Sequence, residues 1–262
     1  MTTPKMLALD FDGVICNSVY EGLLSAWRVL RDLGAAPGDG PSPEVKATYA
    51  RLRPALEIGW EFPVMLLAVL DGVPEDALLP EFQTKWCRQV LEKHRLDRKD
   101  LTRRFDATRD VWIGSDLDGW LGVQHFYAGI AARLRALSGS PVQVFVITTK
   151  EGKYAQLLLE RNGVSLPADR VWGKERARPK ADLLKTLHRD MAVPTRDIWF
   201  VEDRLKTLQS VERQADLGEV SLFLATWGYN TPAEQAEAGA DPRIHPLTLA
   251  QFCADLPAWR PS

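Results

Sequence analysis

Asp10 and Asp12 stand two residues apart in the run Leu7-Ala8-Leu9-Asp10-Phe11-Asp12-Gly13. Side chains alternate along a strand, so acids at this spacing reach one site only if the chain turns after them, and Gly13 permits the turn. Three further groups follow apolar runs or open a helix. Thr148-Thr149-Lys150 comes after 142–147, Glu202-Asp203-Arg204 comes after 198–201, and Lys180 falls in the first turn after Pro179. Four acids gathered at one edge repel one another unless a cation lies among them, and Mg²⁺, which takes carboxylate oxygens and keeps several waters, suits them best. A carboxylate is also a competent nucleophile toward phosphorus. The difficulty is that one anion must approach another. Mg²⁺ and Lys180 would offset that repulsion in the transition state. Thr148 can donate to a phosphoryl oxygen, and the helix N-terminus after Thr149 would add backbone donors.

These residues converge only if the right elements carry them. Residues 6–11 form a short apolar run closed by Asp-Gly, which reads as a buried strand and a turn. Residues 18–33 repeat Leu23, Leu24, Trp27 and Leu30 at helical spacing, Gly34 stops them, and 35–43 is a Gly/Pro loop. From 43 to 101 the pattern is helical, in pieces at 44–52, 64–70 and 81–94, broken by Pro54 and restarted by Pro63. Helices are expected at 123–137, 153–162, 182–189 and 205–215. Strands are expected at 142–147, 198–201 and 220–225, with a short one at 169–172. This alternation predicts an α/β fold, a Rossmann-like parallel sheet sandwiched by helices. A helical insert after the first strand would divide the chain into a core of 1–18 and 119–262 and a cap of 19–118. In such sheets ligands bind past the carboxyl ends of the strands, where the acids, Thr148 and Lys150 fall.

Composition removes several function classes. Lys plus Arg number 33 against 35 Asp plus Glu, a net charge of -2 with no basic stripe, so no nucleic acid is expected as partner. Hydrophobic residues are 45% of the chain, enough for a sizeable core, yet no run approaches the roughly 20 apolar residues of a membrane span. Cys16, Cys87 and Cys253 are odd in number and have no metal-type spacing, which reads as reduced thiols. The residues before Asp10 are too few for a signal h-region, so a cytoplasmic location is expected, as a monomer or homodimer.

The four segments together resemble the haloacid-dehalogenase-like (HAD) superfamily. The resemblance rests on Asp10-Phe11-Asp12-Gly13 after an apolar strand, Thr148 after a second, Lys180 near a helix start, and Glu202-Asp203 after a further strand. It covers the whole predicted core, and the insert falls where that superfamily places a C1-type helical cap. The nearest look is to phosphoglycolate-phosphatase-like and β-phosphoglucomutase-like members. The resemblance implies Asp10 as nucleophile and Asp12 as general acid and base. It implies Mg²⁺ held by Asp10, the Asp12 backbone carbonyl and Asp203, with Glu202 assisting. Asp12 argues against dehalogenation, since members of that type lack the second acid. The sequence departs from the usual pattern at Glu202, where glycine is common, and at Thr207 and Val14.

Some assignments stay open at this level. Thr149 rivals Thr148 and Lys174 rivals Lys180. A second Asp-x-Asp-Gly, at Asp116 to Gly119, follows no apolar strand and reads as a loop or helix cap. Gly13, Thr149 and Lys150 are the expected substrate contacts in the core. Arg51 and Arg53, in a polar and aromatic cluster around Pro54, are those expected from the cap, which would close over the site and exclude water. The expected activity is hydrolysis of a small phosphorylated metabolite. The alternatives are a sugar-phosphate mutase and a non-catalytic protein that binds a phosphorylated ligand.

Overall fold

The computed structural model describes residues 3–259. Six parallel strands form the main sheet: β1 (Met6–Leu9), β4 (Gln143–Ile147), β5 (Val171–Trp172), β6 (Ile198–Glu202), β7 (Ser221–Ala225) and β8 (Ile244–Leu247). Their order is β5-β4-β1-β6-β7-β8. The first strand in sequence thus lies in the middle, with Met6 opposite both Gln143 and Ile198. A separate antiparallel ribbon joins β2 (Cys16–Asn17) to β3 (His125–Phe126). The core helices are α8 (Ile130–Ser138), α9 (Gly152–Arg161), α10 (Lys180–Asp190), α11 (Leu205–Glu212), α12 (Pro232–Ala240) and α13 (Leu249–Cys253). The inserted helices are α1 (Val19–Asp32), α2 (Pro43–Leu52), α3 (Glu61–Leu70), α4 (Glu75–Glu81), α5 (Cys87–His94), α6 (Arg98–Ser115) and α7 (Leu117–Gly122).

Both faces of the sheet are covered, which is why its strands read as unbroken apolar runs. Met6, Ala8, Phe145, Phe200 and Leu222 pack with Leu184 and Leu187 of α10 and Leu208 of α11. On the alternate positions, Trp199 and Phe223 pack against Trp259, which stacks on Phe252 of α13 at 4.8 Å between ring centroids. Phe252 in turn meets Trp227 edge to face at 5.5 Å.

The chain divides into two compact units, one comprising the residues through Asn17 and from His125 on, the other Ser18–Gln124. The expected insert, 19–118, ends inside α7, which lies wholly within the inserted unit. The inserted unit has its own core, including Leu23, Leu30, Tyr49, Met65, Phe82 and Phe105. Glu21, almost fully buried on α1, ties that unit together. It accepts from Ser25, from Trp120 of α7 at 3.0 Å, and from Nε and Nη2 of Arg109 on α6 at 2.8 and 3.2 Å.

Two expected helices are corrected. Residues 123–137 were expected as one helix, but β3 occupies His125–Phe126 and the helix starts only at Ile130, behind Gly129 at φ +81°. The expected helix 81–94 is broken by a π turn at Phe82–Trp86 that follows Pro80, whose missing N–H interrupts the helical ladder. The second Asp-x-Asp-Gly caps a helix: Asp116 accepts the Gly119 N–H at the start of α7, 2.8 Å away.

Candidate functional site

The site is built at the carboxyl ends of β1, β4 and β6. The Asp10 N–H donates to Val201 O, which continues the ladder one residue past β1. The chain then folds into a tight turn, with the Ile15 and Cys16 N–H groups both donating to Phe11 O and Gly13 N–H to Cys16 O. Gly13 makes the turn possible in two ways. Its φ is +95°, and a Cβ there would lie 2.0 Å from Asp203 Oδ2. The glycine therefore admits the β6 acid to the turn after Asp10.

Asp10, Glu202 and Asp203 are buried and offer ligand atoms within 4.8 Å of one another. Lys180, at the first residue of α10, places Nζ 2.6 Å from Asp10 Oδ1 and 2.6 Å from Glu202 Oε2. Glu202 also accepts the Arg204 N–H through Oε1, so both its oxygens are engaged. Burial pushes Asp10 up to about 7; Glu202 adds to the rise and Lys180 opposes it. Burial likewise pushes Glu202 up to about 7, against the pull of Lys180. Burial and then the Asp10 charge raise Asp203. For Lys180, burial acts downward, but the Asp10 and Glu202 carboxylates outweigh it and hold the ammonium charged.

The open pairs from the sequence separate clearly. Lys180 meets Asp10, whereas Lys174 is exposed and bonds Glu151 at 2.7 Å. Thr148 is buried at the end of β4, its Oγ1 accepting the Lys150 N–H, whereas Thr149 is exposed. Lys150 is buried and turns Nζ to Asp12 Oδ1, 3.4 Å away. One backbone donor of the helix N-terminus expected to serve a ligand is taken up within the protein. The Gly152 N–H at the start of α9 donates to Glu175, whose carboxylate also takes the Gly173 N–H. Arg51 and Arg53 lie in the inserted unit. Arg51 grips Glu75 through Nε and Nη2 at 2.7 to 2.9 Å, and Arg53 donates to Leu56 O.

A cation fits these residues. Among the described residues, Asp203 Oδ1 is buried with no hydrogen-bond partner, while Oδ2 accepts the Tyr229 N–H at 2.7 Å. An orphaned buried carboxylate oxygen is costly unless a ligand meets it. Here it points to a hard cation with oxygen preference, and Mg²⁺ satisfies that donor set.

The residues that sequence reasoning missed lie in the 226–231 loop after β7: Trp227, Gly228, Tyr229 and Asn230. Their signal was available. The strand before them was expected, a glycine and two aromatics follow it, and carboxyl ends of strands are where ligands bind.

The six-stranded parallel sheet with a helical insert between β2 and β3 is a fold also found in solved structures described as haloacid dehalogenase-like hydrolases. Among solved structures it is shared with predicted phosphoglycolate phosphatases from Haemophilus somnus 129PT (TM-score 0.60, 17% identity) and Lactobacillus delbrueckii subsp. bulgaricus (TM-score 0.63, 16% identity). Each match covers 93% of this chain and 94% of the other. A haloacid dehalogenase-like hydrolase from Streptococcus pneumoniae matches over the same shares, with a TM-score of 0.55 and 15% identity. No sequence-family model and no curated protein matches the chain by sequence.

Proposed function

We propose that this chain is a Mg²⁺-dependent phosphatase acting on a small phosphate monoester, with a phosphoryl group carried transiently on Asp10. The observation that carries the reading is the buried contact of Lys180 Nζ with Asp10 Oδ1 at 2.6 Å, beside the unpartnered Asp203 Oδ1. An ammonium so placed neutralises charge where a phosphoryl group would meet the carboxylate. The kinship in fold with proteins described as phosphatases supports the same reading.

Asp10 attacks phosphorus, the ester oxygen leaves, and Asp12 gives that oxygen its proton. Water then attacks the phosphoryl group on Asp10, and Asp12 takes the proton back. Lys150, 3.4 Å from Asp12, lies close enough to meet a phosphoryl or substrate oxygen beside it. The Thr148 hydroxyl, accepting from the Lys150 N–H, has its own hydrogen to donate. Glu202 holds Lys180 on Asp10. Asp10, Asp203 and the Asp12 carbonyl would hold Mg²⁺, which when bound draws negative charge off the phosphoryl oxygens.

Phosphate release from p-nitrophenyl phosphate and a panel of phosphorylated metabolites tests this. Release should require Mg²⁺, stop with EDTA, and be abolished by Asp10→Asn. Lys180→Ala should lower kcat by on the order of 100-fold or more, the scale for losing one group aimed at transition-state charge. Isomerisation of a hexose phosphate without release would replace hydrolysis by a mutase. Binding without any turnover would replace it by a phospho-ligand-binding protein.

A further inference from the structure

The loop Thr226-Trp227-Gly228-Tyr229-Asn230-Thr231 carries no charged side chain, yet it binds two strand ends that bear acids. Asn230 is buried and its amide is fully used. Nδ2 donates to Asp203 O at 3.0 Å and to Ala225 O at 2.8 Å, and Oδ1 accepts from Gln235 at 2.8 Å. Tyr229 N–H holds Asp203 Oδ2 at 2.7 Å, and Tyr229 O accepts from Arg204 Nη1 at 2.9 Å. Trp227 Nε1 donates to Val14 O, inside the turn that follows the nucleophile. Gly228 lets the backbone touch both ends at once. A Cβ there would lie 2.3 Å from Asp203 Cβ and 2.5 Å from Gly13 O, and the latter, as backbone, has little freedom to give way.

We propose that the 226–231 loop positions the cation-binding carboxylate, with Asn230 and Trp227 as positioning residues. The inference rests on the Mg²⁺ reading of Asp10 and Asp203. The loop fixes Asp203 through main chain and side chain together. One carboxylate oxygen is held by an N–H, and Oδ1, buried without a hydrogen-bond partner among the described residues, is left to meet a cation. Through Trp227 the same loop fixes the turn that carries the Asp12 carbonyl. Both halves of the ligand set therefore have their spacing set by one loop. Groups that orient metal ligands typically cost 10–100-fold in metal affinity when removed.

The test is Mn²⁺ binding by electron paramagnetic resonance, with Mg²⁺ as competitor, on the full chain and without substrate. The variants are Asn230→Ala, Trp227→Phe and, as a control, Thr248→Ala, which removes the cap of α13 in the same unit. Asn230→Ala should weaken Mn²⁺ binding roughly 10- to 100-fold. Trp227→Phe, which loses the bond to Val14 O and part of the ring packing on Phe252, should weaken it less. Thr248→Ala should lower thermal stability and leave Mn²⁺ affinity at the wild-type value. An Asn230→Ala protein that melts earlier but binds Mn²⁺ like wild type overturns the inference and makes the loop packing alone. If Asn230→Ala does not fold, Trp227→Phe decides, and unchanged affinity there overturns it too. A wild-type chain that fails to bind Mn²⁺ sinks the metal reading itself, which is a separate result.

Discussion

Lys180 is shared by two buried carboxylates, and the balance among the three sets how the core responds to pH. Asp10 and Glu202 are pushed up to about 7, chiefly by burial, from ordinary values of 3.8 and 4.5. Between those values and 7 the folded chain holds protons that the unfolded chain has released, so stability falls as pH rises through that window. Lys180, raised above its ordinary 10.5, contributes stability that is present throughout the window and lost only at higher pH. Without metal, the wild-type Tm should therefore drop from pH 5.5 to pH 8 relative to Asp10→Asn, and Mg²⁺ should restore more stability at pH 8 than at pH 5.5. Parallel pH profiles for the two proteins in calorimetry would rule this out. Gly13 gives a second check at this scale. Gly13→Ala puts a Cβ 2.0 Å from Asp203 Oδ2 at a φ of +95°, and phosphate release and Mn²⁺ binding should both be lost. Retention of either would show that the turn can open without cost.

Single elements explain both what the sequence revealed and what it withheld. β1, β4 and β6 were legible because strands buried on both sides are apolar throughout, and each ends in a residue that strand burial would not select. Asp10, Thr148 and Glu202-Asp203 therefore stood out. Lys180 was legible as a first-turn lysine, but its choice over Lys174 needed the contact with Asp10. β2 and β3 were not legible. Two-residue strands have no period, and His125–Phe126 pairs with Cys16–Asn17 across the whole insert. The brace after β7 was missed because its polar work is done by main chain, an indole and an amide, residue types that do not announce chemistry. In the insert, Glu21 joins α1, α6 and α7 by accepting from Ser25, Arg109 and Trp120. Glu21→Ala leaves a half-buried guanidinium and a buried indole N–H without that acceptor. It should cost about 3 kcal/mol in denaturant unfolding, the scale for breaking a buried ion pair. A loss below about 1 kcal/mol, typical of an exposed pair, would show that solvent replaces Glu21 readily.

At the scale of the whole molecule, the insert begins and ends on neighbouring strands, with Asn17 directly opposite His125. A chain with 18–124 replaced by a two-residue Asn-Gly turn should close the ribbon as a hairpin. It should retain the parallel sheet by circular dichroism and bind Mn²⁺. Aggregation with loss of the strand signal would show that the core needs the insert to fold.

The central place of β1 bears on how the protein is made. β1 leaves the ribosome well before its partners β4 and β6, which emerge only after the entire insert. The insert's helices meet mainly near neighbours in the chain and can settle during synthesis. β1 must wait as an unpaired apolar segment until β4 is released, and with one edge open until β6 follows. Non-local parallel pairing of this kind folds slowly and exposes sticky edges meanwhile, which makes β1 the segment a chaperone would be expected to hold.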